Sequence, residues 1–127
     1  MKIALVIEDD SVTRRTIAQL LMRDGYGVCE SMVPEPIPFT PSLDVIVTDV
    51  VTQPDLESVR AWTRSLHQRF GVPVVLVTGR HEFVAAGAAA LGIADVVAKP
   101  FDVFDLVERV SQAVAAHRVA APPNRWN

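Results

Sequence analysis

Three carboxylates, a lysine and a threonine each stand at the end of an apolar run. Glu8 and Asp9 follow Ile3-Ala4-Leu5-Val6-Ile7, and Asp49 follows Val45-Ile46-Val47-Thr48. Lys99 follows Asp95-Val96-Val97-Ala98, and Thr78 stands at the end of Val72-Pro73-Val74-Val75-Leu76-Val77. If these runs are parallel strands of one sheet, all five side chains gather at its carboxyl edge, where open α/β sheets bind ligands. Acids packed that closely repel one another unless a cation shares them. The set reads as a Mg2+-assisted phosphoryl site.

The runs at Ile3–Ile7, Val45–Thr48 and Val72–Val77 are continuous rather than alternating, as strands buried on both faces must be. Gly27–Ser31 and Ala94–Ala98 are weaker strand candidates. Helical spacing fills the gaps between them. Ile17, Leu20 and Leu21 form a stripe opposite Arg14, Arg15 and Arg23, a face expected to be solvated. Val59, Trp62, Leu66 and Phe70 repeat the spacing up to Gly71, with Trp62 expected in the core, and Val84, Ala88 and Leu91 do so up to Gly92. Val103, Leu106, Val107, Val110 and Val114 form the clearest stripe. The alternation predicts an α/β fold, a doubly wound parallel sheet of five strands with helices on both sides.

Residues 32–42 break the alternation with Pro34, Pro36, Pro38 and Pro41. Each proline inside a helix costs about 3 kcal/mol. An extended, Pro-rich loop is therefore expected in place of the second helix, pinned to the sheet by Ile37 and Phe39. Residues 1–118 are read as one domain and 119–127, with Pro122 and Pro123, as a tail or linker stub.

Composition narrows the function classes. The 127 residues fit one core, half are hydrophobic, and the net charge of −3 offers no basic stripe for direct nucleic-acid binding. Cys29 has no partner for an internal disulfide and is expected to be a buried, inert thiol in a reducing cytosol. No apolar stretch is long enough to span a bilayer, and Met1-Lys2-Ile3 enters a strand without a cleavage site. A cytoplasmic protein without membrane contact is the expectation. His67, His81 and His117 have no ligand-like spacing.

The motifs Ile7-Glu8-Asp9-Asp10, Thr48-Asp49, Val77-Thr78-Gly79 and Lys99-Pro100-Phe101, in this order at successive strand ends, resemble the CheY-like receiver domain of bacterial two-component response regulators. The resemblance covers about Met1 to His117 and implies the strand order 2-1-3-4-5. It implies that Asp49 is the phosphoacceptor, forming an acyl phosphate by in-line attack. An N-cap role for Asp49 fits poorly, because the next helical pattern starts near Asp55. Asp9 corresponds to a direct Mg2+ ligand, Glu8 to one acting through water, and the backbone carbonyl of Val51 to the third protein ligand. Asp10 is read as capping the first helix together with Ser11. Lys99 corresponds to the lysine that pairs with a phosphoryl oxygen, ahead of a cis Lys-Pro bond, and Thr78 to the switch hydroxyl.

The implied partners are a histidine kinase or histidine phosphotransfer protein, and a downstream protein or an output domain outside this chain. A close-packed homodimer through the Ala-rich stretch 85–90 is a further possibility. The competing reading is a non-phosphorylated, receiver-like scaffold that acts by contact alone. A Mg2+-dependent aspartyl phosphatase would need an Asp-x-Asp arrangement after the first strand, which Asp9-Asp10-Ser11 does not supply.

Three departures from the family pattern stand out. The loop after Asp49, Val50-Val51-Thr52-Gln53-Pro54-Asp55, has its proline one place late and no glycine. The aromatic switch position, three before the lysine, is Val96, which has no ring to swing, so output must use loop and helix shifts or another face. The second helix is replaced. In receivers, the positions two after the acceptor and two after the threonine, here Val51 and Arg80, tune hydrolysis of the acyl phosphate. Valine cannot orient an attacking water and arginine could lie over the phosphoryl group, so slow self-dephosphorylation is expected. Val51→Asn should therefore hasten loss of the phosphoryl group, and an unchanged decay rate would contradict this reading.

Overall fold

The computed structural model describes residues 1–32, 42–49 and 55–120. The strands are β1 (Ile3–Ile7), β2 (Gly27–Ser31), β3 (Val45–Thr48), β4 (Val74–Thr78) and β5 (Asp95–Ala98). The helices among these residues are α1 (Ser11–Arg23), α2 (Leu56–Phe70), α3 (His81–Leu91) and α4 (Val103–Ala120). All strand pairs are parallel, in the order β2-β1-β3-β4-β5, as the family resemblance implied. The expected Pro-rich replacement of the second helix falls on residues 33–41, outside the described residues. No described helix is long and apolar enough to cross a membrane.

Local chemistry sets the boundaries. The Asp10 carboxylate accepts the Thr13 N–H at 2.9 Å and starts α1, as expected of a cap. Asp55 does the same for α2 through the Ser58 N–H at 2.8 Å, and Gly71 ends that helix in the left-handed region at φ 67°. Asp102 accepts from Phe104 N–H and Asp105 N–H at 2.9 and 3.0 Å, opening α4. β4 begins at Val74 rather than Val72, since Pro73 has no N–H for a ladder, although its carbonyl still accepts from Ile46 N–H at 3.0 Å. The helix expected around Val84, Ala88 and Leu91 forms, but Gly87, at φ 83° and ψ 164°, interrupts it within the Ala-rich stretch.

The continuous apolar strands serve two cores. Ala4, Val6, Val45, Val47, Val75 and Val77 face α1 and α4, where Ile17, Leu21, Leu106 and Val110 meet them. Leu5, Ile7, Ile46 and Val74 face the other way, onto Leu66 of α2 with Trp62 and Phe70 partly buried at its margin. Trp62 is thus at the edge of the core rather than within it. Leu76, Val59, Phe83 and Leu91 form a third cluster between α2 and α3, with Val96 packed on its rim. Cys29 is half-buried rather than buried, because β2 is an edge strand.

Two phenylalanines separate burial from bulk. Phe83 is fully buried, whereas Phe104 is 82% exposed. Phe83→Ala should cost about 3–5 kcal/mol in urea unfolding, and Phe104→Ala no more than about 0.5 kcal/mol. Comparable losses at both positions would contradict this packing.

Candidate functional site

The β1–β3 register pairs Ile7 with Thr48, so the next residues, Glu8 and Asp49, leave adjacent strands at one level. This is where the strand order reverses, the crevice that open α/β sheets use for ligands. The backbone there is tied down. Glu8 N–H donates to the Ser31 carbonyl at 2.9 Å, and Asp49 N–H donates to the Ile7 carbonyl at 3.0 Å. The Thr48 hydroxyl donates to the Asp49 carbonyl at 2.8 Å, a support that the sequence pattern did not single out. Further along the edge, Lys99 N–H donates to the Thr78 carbonyl at 2.9 Å, and the Lys99-Pro100 bond is cis, as the resemblance implied.

Lys99 reaches back across the edge and bridges the two acids. Its ammonium pairs with Glu8 Oε1 and, at 2.9 Å, with Asp49 Oδ2. Asp9 completes the group: one oxygen from each of Glu8, Asp9 and Asp49 lies within 4.8 Å of the others, the only such cluster among the described residues. Glu8 is 1% exposed, and burial pushes its carboxyl up to about 7, aided by the charge of Asp49 and opposed by the Lys99 hydrogen bond. Burial works against the charge of Lys99 too, but its hydrogen bonds to Glu8 and Asp49 outweigh this and raise its pKa.

Glu8 Oε2 is buried with no hydrogen-bond partner among the described residues. An orphaned carboxylate oxygen next to two more carboxylates is a donor set that suits a hard divalent cation. Glu8, Asp9 and Asp49 could hold one. The remaining expected ligand, the Val51 carbonyl, lies outside the described residues.

The other expected site residues fall as follows. Thr78 is fully buried, and its hydroxyl accepts the Arg80 N–H at 3.0 Å. The Arg80 guanidinium lies over the Phe83 ring, 4.4 Å from its centroid, and pairs with Glu82 at 2.5 Å. Val96 is half-buried. His67 and His81 are exposed and His117 is half-buried, in keeping with helix-surface roles. Arg14 overturns an expectation. Its side chain is only 14% exposed, donates to the Glu8 carbonyl at 2.9 Å and pairs with Glu30 at 3.3 Å. A solvated face was expected because helical periodicity sees α1 alone and not the end of β2 beside it. Arg15, 54% exposed, keeps the solvated position and also pairs with Glu30.

Comparison with known proteins identifies the family. Residues 4–111 match the response regulator receiver domain. The TorCAD operon transcriptional regulatory protein TorR of Escherichia coli O157:H7 is 30% identical over 116 residues, covering 84% of this chain and 47% of that protein. The chain thus spans about half the length of TorR. Chemotaxis protein CheY of Treponema pallidum is 25% identical over 118 residues, covering 87% of this chain and 81% of that one. Among solved structures, the non-phosphorylated HemR receiver domain of Leptospira biflexa aligns with a TM-score of 0.72 at 18% identity, over 98% and 99% of the two chains. The response regulator TrrA of Thermotoga maritima, in complex with Mg2+-BeF, aligns at 0.70 and 20%, over 89% and 99%. At those identities the two structures speak to the fold alone. The family match extends from β1 into α4 and takes in all five strands with their acidic and lysine ends, so the chain belongs to the response regulator receiver domain family.

Proposed function

We propose that the chain is a phosphorylation switch. Asp49 takes a phosphoryl group from a histidine kinase or histidine phosphotransfer protein, with Mg2+, and the change at the sheet edge alters binding to a downstream protein or an output domain beyond this chain. The observation that carries this reading is the Lys99 ammonium held between Glu8 and Asp49, with Asp9 alongside. In the transfer, a carboxylate oxygen of Asp49 attacks phosphorus in line. The new O–P bond forms as the N–P bond to the donor imidazole breaks, and the imidazole departs with the electron pair.

Lys99 is placed to exchange its contact with Asp49 Oδ2 for a phosphoryl oxygen, and the Thr78 hydroxyl retains its proton to donate to another. Mg2+, when bound by Glu8, Asp9 and Asp49, would offset the charge of the phosphoryl oxygens. TrrA, of the same fold, in complex with Mg2+-BeF supports that choice of ion. Val51 as a further ligand and a slow loss of the phosphoryl group belong to the same proposal.

Two measurements test it. With acetyl phosphate and Mg2+, intact mass should show one phosphoryl adduct in the wild type and none in Asp49→Asn. No adduct and no Mg2+ binding would leave the receiver-like scaffold as the function. The second is pH dependence. Burial pushes the Glu8 carboxyl up to about 7, so below that pH a proton occupies a group that the cation needs deprotonated. Mg2+ affinity by calorimetry should therefore weaken by about tenfold from pH 8 to pH 6. A flat profile would remove Glu8 from the ligand set.

A further inference from the structure

The two acids after β1 share one peptide plane. The Glu8 carbonyl and the Asp9 N–H belong to it, and its rotation sets how the exposed Asp9 carboxylate stands relative to the buried Glu8 carboxylate. The plane lies past the last ladder residue, Ile7, and before the Asp10 cap of α1. On its near side the Glu8 N–H is anchored by the Ser31 carbonyl. The carbonyl of the plane itself is held by a side chain, the Arg14 guanidinium, at 2.9 Å.

Arg14 is in turn braced. Its Nε donates to Glu30 Oε1 at 3.3 Å, while the other Glu30 oxygen takes Arg15. Glu30 stands on β2 opposite Val6, so the brace fastens α1, the end of β1 and the edge strand to one another. A guanidinium does this better than an ammonium, because its rigid fork serves two acceptors at fixed directions.

We infer that Arg14 is a positioning residue for the acidic site, orienting the Glu8–Asp9 peptide so that both carboxylates face one cation. The inference rests on the phosphorylation-switch reading above for its Mg2+ consequence. Two effects of Arg14 on the cation have opposite signs. Its positive charge repels a divalent ion, whereas its hydrogen bond preorganises two of the ligands. Groups that orient metal ligands are each worth about 10–100-fold in affinity, whereas the charge of Arg14 is already paired with Glu30, which offsets its repulsion of the ion. Orientation is the larger effect.

Arg14→Met keeps the length of the side chain and removes both charge and fork. It should weaken Mg2+ binding about tenfold by calorimetry, with phosphorylation of Asp49 by acetyl phosphate retained at saturating Mg2+. Arg14→Lys should recover part of the loss. Glu30→Gln should give a smaller loss that does not add to that of Arg14→Met, since both act through one contact. Amide hydrogen exchange at Glu8, whose N–H anchors the preceding peptide plane to the Ser31 carbonyl, should quicken about tenfold in Arg14→Met as the brace between β1 and β2 is lost, while that of Val75 in the sheet centre stays as in the wild type. A variant that merely melts at lower temperature, or one that binds Mg2+ more tightly, would overturn the inference. If the wild type binds no Mg2+, the phosphorylation switch falls, and the exchange rate at Glu8 alone then decides whether Arg14 braces the end of β1.

Discussion

A single ammonium makes this sheet edge possible. Glu8 and Asp49 lie side by side because β1 and β3 are neighbours in register, and two carboxylates so placed disfavour each other's charge. Lys99 is 91 residues from Glu8 and 50 from Asp49, and it meets both only when β5 is laid against β4. Its contacts therefore report on the assembly of the whole sheet. The backbone bond from Lys99 N–H to the Thr78 carbonyl fixes the root of the side chain, so the ammonium is delivered to the crevice rather than left in solvent.

The compensation is incomplete, and that is its use. Glu8 shares Lys99 with Asp49 and keeps one buried oxygen unpartnered among the described residues. Its folded-state carboxyl sits at about 7 against an ordinary 4.5. The sign follows from linkage. The folded chain holds this proton more tightly than the unfolded one, so the stabilisation is full below about 4.5 and is lost as pH rises through about 7. Above that range the site carries more negative charge than Lys99 neutralises. A cation held by Glu8, Asp9 and Asp49 would then offset that charge, so folding and ion binding are linked through Glu8.

Much of this was legible in the sequence because it is local. A continuous apolar run that ends in an acid or lysine specifies a buried strand and a polar tip; three runs do so, a fourth ends in Thr78, and with Gly27–Ser31 and the helical spacers they specify the doubly wound sheet. Asp10 as a cap follows from a one-turn rule. What escaped is what needs a second element in view. Arg14 lies on the polar face of α1 by periodicity, yet that face abuts the end of β2, where Glu30 waits. Cys29 looks like core until β2 is known to be an edge strand. The Ala-rich stretch reads as uninterrupted helix, since propensity favours it, and only the fold places Gly87 in a conformation that breaks it.

The same nonlocal view bears on how a charge at Asp49 could be felt elsewhere. The Thr78 hydroxyl is not idle: it accepts the N–H of Arg80, the residue that opens α3. A threonine drawn toward Asp49 would give up or bend that bond, which ties Thr78 to the N-cap of α3. Phe83, on that turn, is fully buried against Leu76 and Leu91 with Val96 at the rim. A close-packed cluster resists a small displacement and yields as a unit. Here a buried ring on the helix stands beside a valine on the strand, so the bulk that must move belongs to α3 itself. The break at Gly87 would confine such a motion to His81–Ala86, because helical φ/ψ does not continue through it.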